Sequence, residues 1–165
     1  MIRSETLQIL SGVVAGAPTS EFRGQTRAIV PRELLLAATT ALRNEGGFDL
    51  LVDITCVDYL NYRDAVDRFG LVYVLTATST GERLIVRAFL SEPDLAAPSV
   101  VSIWPGANWL EREVFDMFGI DFVGHPDLRR ILMPEEFTAH PLRKDYPLQG
   151  RGERHNFPVL RRGES

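Results

Sequence analysis

The sequence predicts an α+β fold, in which a small mixed or antiparallel sheet is packed with helices and followed by an extended C-terminal arm. Periodicities occur in the order helix, strand, helix, three strands and helix, and the length of 165 residues suits one domain. Residues 1–118 carry a net charge of −5, whereas residues 119–165 carry +1 and half of the ten prolines. We therefore expect a compact body over residues 1–118, an extended docking arm over residues 119–148 and a flexible tail over residues 149–165.

The first two helices and the strand between them are predicted from apolar spacing and stop signals. Apolar residues recur at helical spacing before Gly16, which predicts a short first helix. A strand is expected over residues 25–30. Pro31 can then begin the second helix, because the missing N–H of proline costs nothing in the first turn. The apolar stripe of this helix, which ends at the glycine pair 46–47, consists of Leu34, Leu35, Ala38 and Leu42.

Three strands follow over residues 49–57, 69–78 and 83–90, and a short loop containing Gly81 joins the last two as a hairpin. The only cysteine, Cys56, lies in the first of these strands, so the sequence provides neither a disulfide framework nor a cysteine cage for a metal. We expect a buried, inert thiol, which fits a reducing, cytoplasmic compartment. The strand face predicted to be buried consists of Leu50, Val52, Ile54 and Cys56.

A charged helix is predicted over residues 109–118. Asn108 and Glu111 have the spacing of a capping box, and Gly119 supplies the stop. Its apolar face is formed by Leu110, Val114, Met117 and Phe118. The charged side is formed by Arg112, Glu113 and Asp116, with Arg112 and Asp116 one turn apart in ion-pair register. We interpret it as an acidic outer stripe that faces solvent or a partner.

Two chemical alternatives remain for the charged residues. Glu113 and Asp116 could form a general acid/base pair of a free-standing hydrolase, but the neighbouring sequence offers neither a nucleophile nor a water-binding metal. A metal site would need His125, His140 and His155, which have none of the usual metal-binding spacings. Structural or interface hydrogen bonding is the favoured interpretation of these histidines.

The predicted arm, residues 119–148, is too apolar for a disordered linker. Burial must offset the cost of ordering it, roughly 1–2 kcal/mol per residue. We expect the body to be too small to cover the whole arm, so that part of it lies across a second subunit. Its anchors to carboxylates there would be Arg129, Arg130, Arg143 and Lys144. The tail offers Phe157 and Leu160 as late anchors.

Composition narrows the function classes further. The formal net charge of −4 gives no reason to expect non-specific nucleic-acid binding. An RNA binder is disfavoured because the basic residues are matched by acidic ones and are not interleaved with aromatics. No apolar run approaches the roughly 18 residues of a transmembrane helix, and the N-terminus lacks the features of a signal peptide. No dinucleotide fingerprint or iron–sulfur cysteine spacing occurs.

The residues from 111 onward carry a family resemblance. The run of Glu111, Arg112, Glu113, Asp116, Met117, Phe118, His125, Arg129, Ile131 and Leu132 closely resembles the signature of the 30-kDa subunit family of NADH–quinone oxidoreductase, respiratory complex I. The resemblance extends upstream through residues 99–109. Downstream it runs to Leu148 and includes Arg130, His140, Arg143, Lys144 and Asp145. One departure is Thr138-Ala139, where many relatives carry a glycine before the histidine.

The resemblance implies a subunit that binds no cofactor and has no catalytic residues. It would belong to a proton-translocating translocase that transfers electrons from NADH to quinone. It would pack against the quinone-site subunit of the 49-kDa type and the iron–sulfur subunits, while FMN and the iron–sulfur clusters lie in other chains. The implied location is peripheral, on the cytoplasmic side of the bacterial inner membrane. A membrane-bound hydrogenase or a ferredoxin- or coenzyme-driven relative remains the alternative complex.

Overall fold

A computed structural model describes residues 2–152 and confirms the predicted α+β class. The tail residues His155, Phe157 and Leu160 lie outside the described residues. The helices are α1 (Ser4–Val13), α2 (Leu35–Asn44), which follows a 3-10 turn (Arg32–Leu34), and α3 (Ala107–Phe118). The strands are β1 (Thr19–Phe22), β2 (Gln25–Ile29), β3 (Leu50–Asp58), β4 (Phe69–Ala77), β5 (Glu82–Leu90), β6 (Ala96–Pro98) and β7 (Asp121–Val123). None of the helices in this part of the chain is long and apolar enough to cross a membrane.

Five strands form one mixed sheet in the order β1-β2-β5-β4-β3. The β2–β5 pair is parallel and the other three pairs are antiparallel. β6 and β7 form a separate parallel pair. The three short strands β1, β6 and β7 were not predicted, because segments of three or four residues are too short to show periodicity.

Burial alternates along β4 and β5, so the sheet has one covered face and one open face. On the covered face, Leu71, Tyr73 and Leu75 of β4 pack in one apolar core with residues of the helices. Their neighbours Val72 and Val74 point to the opposite face and are only partly buried. The helices and the sheet therefore form two layers.

The predicted buried face of β3 is wrong in its first half. Ile54 and Cys56 are buried, but Val52 is 45% exposed. A β-bulge between Leu51 and Asp53 adds a residue to β3 and shifts the alternation of its side chains. The Cys56 thiol is buried, as predicted, and burial raises its pKa to about 12.

The predicted start of α3 also needs correction, although its end is confirmed. The helix begins at Ala107, and no side chain caps its N-terminus, so the capping box of Asn108 does not form. Gly119 ends the helix with φ 74°, and its N–H donates to the Phe115 carbonyl at 2.8 Å. This left-handed conformation is the one that glycine adopts after many helices.

Residues 119–148 fold back onto the body instead of extending away from it. Ile120, Phe122 and Phe137 are buried. The Leu142 N–H donates to the carbonyl of Met117 at 3.2 Å. The body therefore covers part of this segment, and Ile120 and Phe122 belong to the packed core. Leu132, Leu142 and Leu148 stay more than half exposed, so the expectation that part of the segment lies across a second subunit stays a prediction. We call residues 119–148 the arm.

Candidate functional site

The charged side of α3 faces the arm, not solvent. Glu111 and Asp116 are fully buried and Arg112 is nearly so, whereas Glu113 is exposed. The predicted acidic outer stripe is therefore wrong for Arg112 and Asp116, and only Glu113 lies outside as predicted. The predicted ion pair between Arg112 and Asp116 is also absent among residues 2–152, because each of these side chains bonds to the arm instead.

Asp116 is the centre of the contact between α3 and the arm. Its Oδ2 accepts hydrogen bonds from the N–H groups of Ile131, Leu132 and Met133 at 3.0, 2.8 and 2.9 Å. Its Oδ1 pairs with the Arg130 guanidinium at 2.6 Å. Burial acts to raise the pKa of Asp116, but these donors outweigh it and hold the pKa below its ordinary value. Asp116 is thus an ionised structural acceptor, which argues against general acid catalysis.

Two arginines complete this contact through backbone carbonyls. Arg130 donates to Ala139 O at 3.1 Å as well as to Asp116. Arg112 donates to the carbonyls of Arg129 and Arg130 at 3.1 and 3.2 Å. Arg130 was expected to bind a carboxylate of a partner, but its guanidinium binds groups of the same chain instead.

The C-terminal end of α3 receives a second set of contacts from the arm. His140 Nδ1 lies 3.0 Å from Asp116 O, and Arg143 Nε donates to Phe118 O at 2.6 Å. These are carbonyls that the helix itself leaves unpaired. Gly119 permits the approach, because a Cβ there would lie 2.5 Å from His140 Nε2 and 2.9 Å from an Arg143 nitrogen. Burial lowers the pKa of His140, which favours the neutral ring.

The end of the arm is held by residues that sequence reasoning missed. The buried carboxylate of Asp58, at the end of β3, accepts the Lys144 N–H at 2.8 Å. Arg68 pairs with both Asp58, at 3.3 Å, and Asp145, at 2.9 Å. Lys144 is thus bound through its backbone N–H, not through the ammonium group that the sequence suggested. No local signal marks Asp58, because its partner Lys144 lies 86 residues away.

Glu111 joins α3 to the segment that precedes it. Its carboxylate accepts hydrogen bonds from Ser99 Oγ and the Val100 N–H, both at 2.7 Å. Burial raises the pKa of Glu111 to about 7 against these two hydrogen bonds. Through Glu111, α3 binds the segment that precedes it, and through Asp116 it binds the arm that follows it.

Replacing Glu111 with glutamine should change how stability depends on pH. The folded pKa of about 7 exceeds the ordinary 4.5, so the folded protein holds this proton more tightly than the unfolded chain. The resulting stability is present below pH 4.5 and is lost as the pH rises to about 7. Between about pH 5 and pH 8, wild type should therefore lose roughly 2–3 kcal/mol relative to Glu111→Gln in urea unfolding. Glu113→Gln, at an exposed site, should track wild type; parallel curves for all three proteins would contradict the assignment.

The remaining predicted residues lie nearer the surface. Arg129 is exposed and pairs with Asp127 at 3.0 Å. His125 Nε2 lies 3.1 Å from Asn108 O, and its Nδ1 accepts the Asp127 N–H at 3.0 Å. Among residues 2–152, no group of three or more His, Cys, Asp or Glu side chains is arranged to hold a metal ion.

The exposed surface of α3 and of the start of the arm combines apolar and charged side chains. Trp109 and Leu132 are each 60% exposed, and Glu113 and Arg129 are exposed on the same two segments, α3 and the start of the arm. We call these four residues the outer patch. Exposed large apolar side chains on segments that are held by buried hydrogen bonds are typical of a protein-binding surface and not of a catalytic site.

Comparisons with known proteins agree on one family. Residues 28–152 match the family described as the respiratory-chain NADH dehydrogenase 30 Kd subunit. The C subunit of NADH-quinone oxidoreductase from Trichlorobacter lovleyi is 50% identical over 130 residues, which are 79% of each chain.

Two solved structures are similar. The trypsin-resistant fragment (1-134) of Nqo5 has 38% identity and a TM-score of 0.67, covering 75% of this chain and 99% of that one. A chain of the membrane-bound sulfane sulfur reductase, an archaeal respiratory membrane complex, has 24% identity and a TM-score of 0.74. The second likeness covers 98% of this chain and 94% of that one, and it supports the fold alone.

Proposed function

Because the chain belongs to the 30-kDa subunit family of respiratory-chain NADH dehydrogenases, we propose that it is a non-catalytic scaffold that holds other subunits of NADH–quinone oxidoreductase in register. The observation that supports the scaffold role is that charged residues of the family signature form bonds within the chain. Asp116, Arg130 and Arg143 tie the arm to α3. None of them remains available to act on a substrate.

The proposal assigns the electron transfer to other chains. FMN and the iron–sulfur clusters would be carried by neighbouring subunits, and this chain would sit peripherally on the cytoplasmic side of the membrane. Its partners would be the quinone-site subunit and the iron–sulfur subunits. We assign the outer patch to this contact, since its apolar side chains are exposed on α3 and on the part of the arm that Asp116 binds.

The test is purification of a tagged chain from membranes solubilised in mild detergent, followed by mass spectrometry. We expect the quinone-site subunit, the iron–sulfur subunits and an NADH-binding flavoprotein to be recovered with it. Recovery of the chain alone would contradict the scaffold role. Recovery with the subunits of a hydrogenase, or of a ferredoxin- or coenzyme-driven complex, would contradict the NADH-linked assignment.

Leu132→Glu should lower this recovery by about tenfold, which corresponds to about 1.4 kcal/mol of binding free energy. A carboxylate at position 132 would replace an apolar side chain that we expect the partner's apolar surface to cover, and removing this charge from water would weaken binding. The matched control is Leu36→Glu, at an exposed apolar position on α2. Equal recovery of both variants would show that the outer patch is not the docking site.

A further inference from the structure

The open face of the main sheet is a surface that the helices and the arm leave uncovered. It is a mixture of apolar and basic side chains, with one carboxylate, that of Asp53, beside Val74. The register of the strands places Thr55, Val72, Arg87 and Ile29 side by side across it. The residues of the open face are Ser20, Phe22, Gln25, Arg27, Ile29, Leu50, Asp53, Thr55, Val57, Val72, Val74, Thr76, Arg83, Ile85, Arg87 and Phe89.

The arginines of the open face lack the ion pairs that several other arginines of the chain form. On the helix side and in the arm, Arg32, Arg68 and Arg130 all form ion pairs with carboxylates. Within residues 2–152, Arg27 and Arg83 form no ion pair with any carboxylate. Arg87 likewise has none and is bonded instead to the hydroxyl of Tyr59. The open face therefore carries three arginines, none in an ion pair within the described part of the chain, against the one carboxylate of Asp53, and so has a net positive charge.

An aromatic cluster fixes one edge of the open face. Tyr59 lies over Gly70, where a Cβ would come within 2.9 Å of the tyrosine ring, and it packs against Phe89 with ring centroids 6.2 Å apart. The Arg87 guanidinium stacks on the Phe89 ring at 4.9 Å. The loop that follows Tyr59 exposes further apolar groups, and Val66 is 95% exposed. This edge combines the aromatic and arginine side chains that dominate protein interfaces.

We propose that the open face is a second docking surface, which binds a neighbouring subunit through a patch of carboxylates set among apolar side chains. This inference rests on the proposed function, since it assumes that the chain works inside an assembly. Arg27, Arg83 and Arg87 would form forked hydrogen bonds to the partner's carboxylates. Val72, Val74 and Ile85 would be covered by its apolar side chains.

Charge complementarity favours this occupant over the alternatives. A second copy of the chain would bring the same patch against itself in a two-fold contact, placing arginines opposite arginines. A nucleic acid or an anionic lipid surface would pair the arginines but would leave the β-branched side chains between them in contact with phosphates. An acidic and apolar protein surface satisfies both kinds of side chain.

Thiol labelling tests the proposal, because the native Cys56 is buried and burial keeps its pKa high. Thr55→Cys places a reactive thiol on the open face, and Ser11→Cys places one on the exposed side of α1. Maleimide labelling rates are compared between the isolated chain and the complex purified through its tag. We expect the thiol at position 55 to react at least about tenfold more slowly in the complex, with little change at position 11.

A charge reversal adds the chemical test. In the Thr55→Cys background, Arg27→Glu/Arg83→Glu should abolish the protection, whereas Arg27→Lys/Arg83→Lys should largely preserve it. Unprotected labelling at position 55 in an intact complex would overturn the inference and leave the proposed function standing. A chain that does not co-purify at all would contradict the proposed function instead.

The competing occupants give distinct results. Protection of position 55 in the isolated chain, growing with its concentration, would show a second copy on the open face. Protection by vesicles of phosphatidylglycerol, or by RNA, without any partner subunit would show an anionic ligand. Either result would overturn the assignment of an acidic protein surface.

Discussion

Replacing Asp116 with alanine is expected to lower the free energy of unfolding by about 3–5 kcal/mol. The change removes the only carboxylate that pairs with the Arg130 guanidinium among residues 2–152. It also leaves the N–H groups of Ile131, Leu132 and Met133 without their acceptor. Unpaired buried donors and a partly buried, unpaired charge are among the costliest single defects in a folded protein.

Urea unfolding followed by circular dichroism measures this effect, and the arm supplies the control. Asp127 also pairs with an arginine, Arg129, but both side chains are largely exposed. Asp127→Ala should change the free energy of unfolding by only about 0.5 kcal/mol. If the two variants unfold alike, Asp116 does not hold the arm in the way described.

Gly119→Ala should give the second large effect, a loss of roughly 2–4 kcal/mol. The φ of 74° alone costs a residue with a side chain about 1–2 kcal/mol. The new Cβ would also overlap the His140 and Arg143 side chains, which must move and lose their close contact with the end of α3. Thermal or urea unfolding gives the stability, and the exchange rates of the backbone N–H groups in the arm report its displacement.

Gly124→Ala separates the cost of the left-handed backbone from the cost of the Cβ overlap. Gly124 has a φ of 87°, but a Cβ added there would meet no atom within 4 Å, so only the backbone cost applies. The variant should therefore lose about 1–2 kcal/mol and leave the N–H groups of residues 131–133 protected from exchange. Equal losses and equal protection in the two variants would rule out the close approach at Gly119.

The sequence was sufficient for the elements whose side chains repeat regularly. β5 was predicted from its alternating apolar residues, because burial on one face imposes the period, and β4 was predicted from an almost continuous apolar run. The stop of α3 at Gly119 was also predicted from a local signal. The bulge in β3 was missed, since an inserted residue changes the alternation without changing composition.

The burial of Asp116 was the most consequential miss. A helical wheel places this carboxylate beside Arg112 and Glu113, on what looks like a solvent-facing side. Its true partners are Arg130 and three N–H groups in an arm without any periodicity. Asp58 escaped notice for a similar reason, because contacts across 86 residues leave no trace in local spacing. The family resemblance singled out Asp116 and Arg130 without saying that they bind each other.

Disruption of the gene for this chain in its native host tests the central claim, that the protein is needed to assemble the oxidoreductase and not to catalyse its chemistry. NADH-dependent quinone reduction is measured in membranes of the disrupted strain carrying an empty vector, wild type or Asp116→Ala. We expect activity only with wild type, together with a full-size complex on a native gel. The isolated chain should show no turnover. A full-size, active complex in membranes that lack the chain would contradict the account.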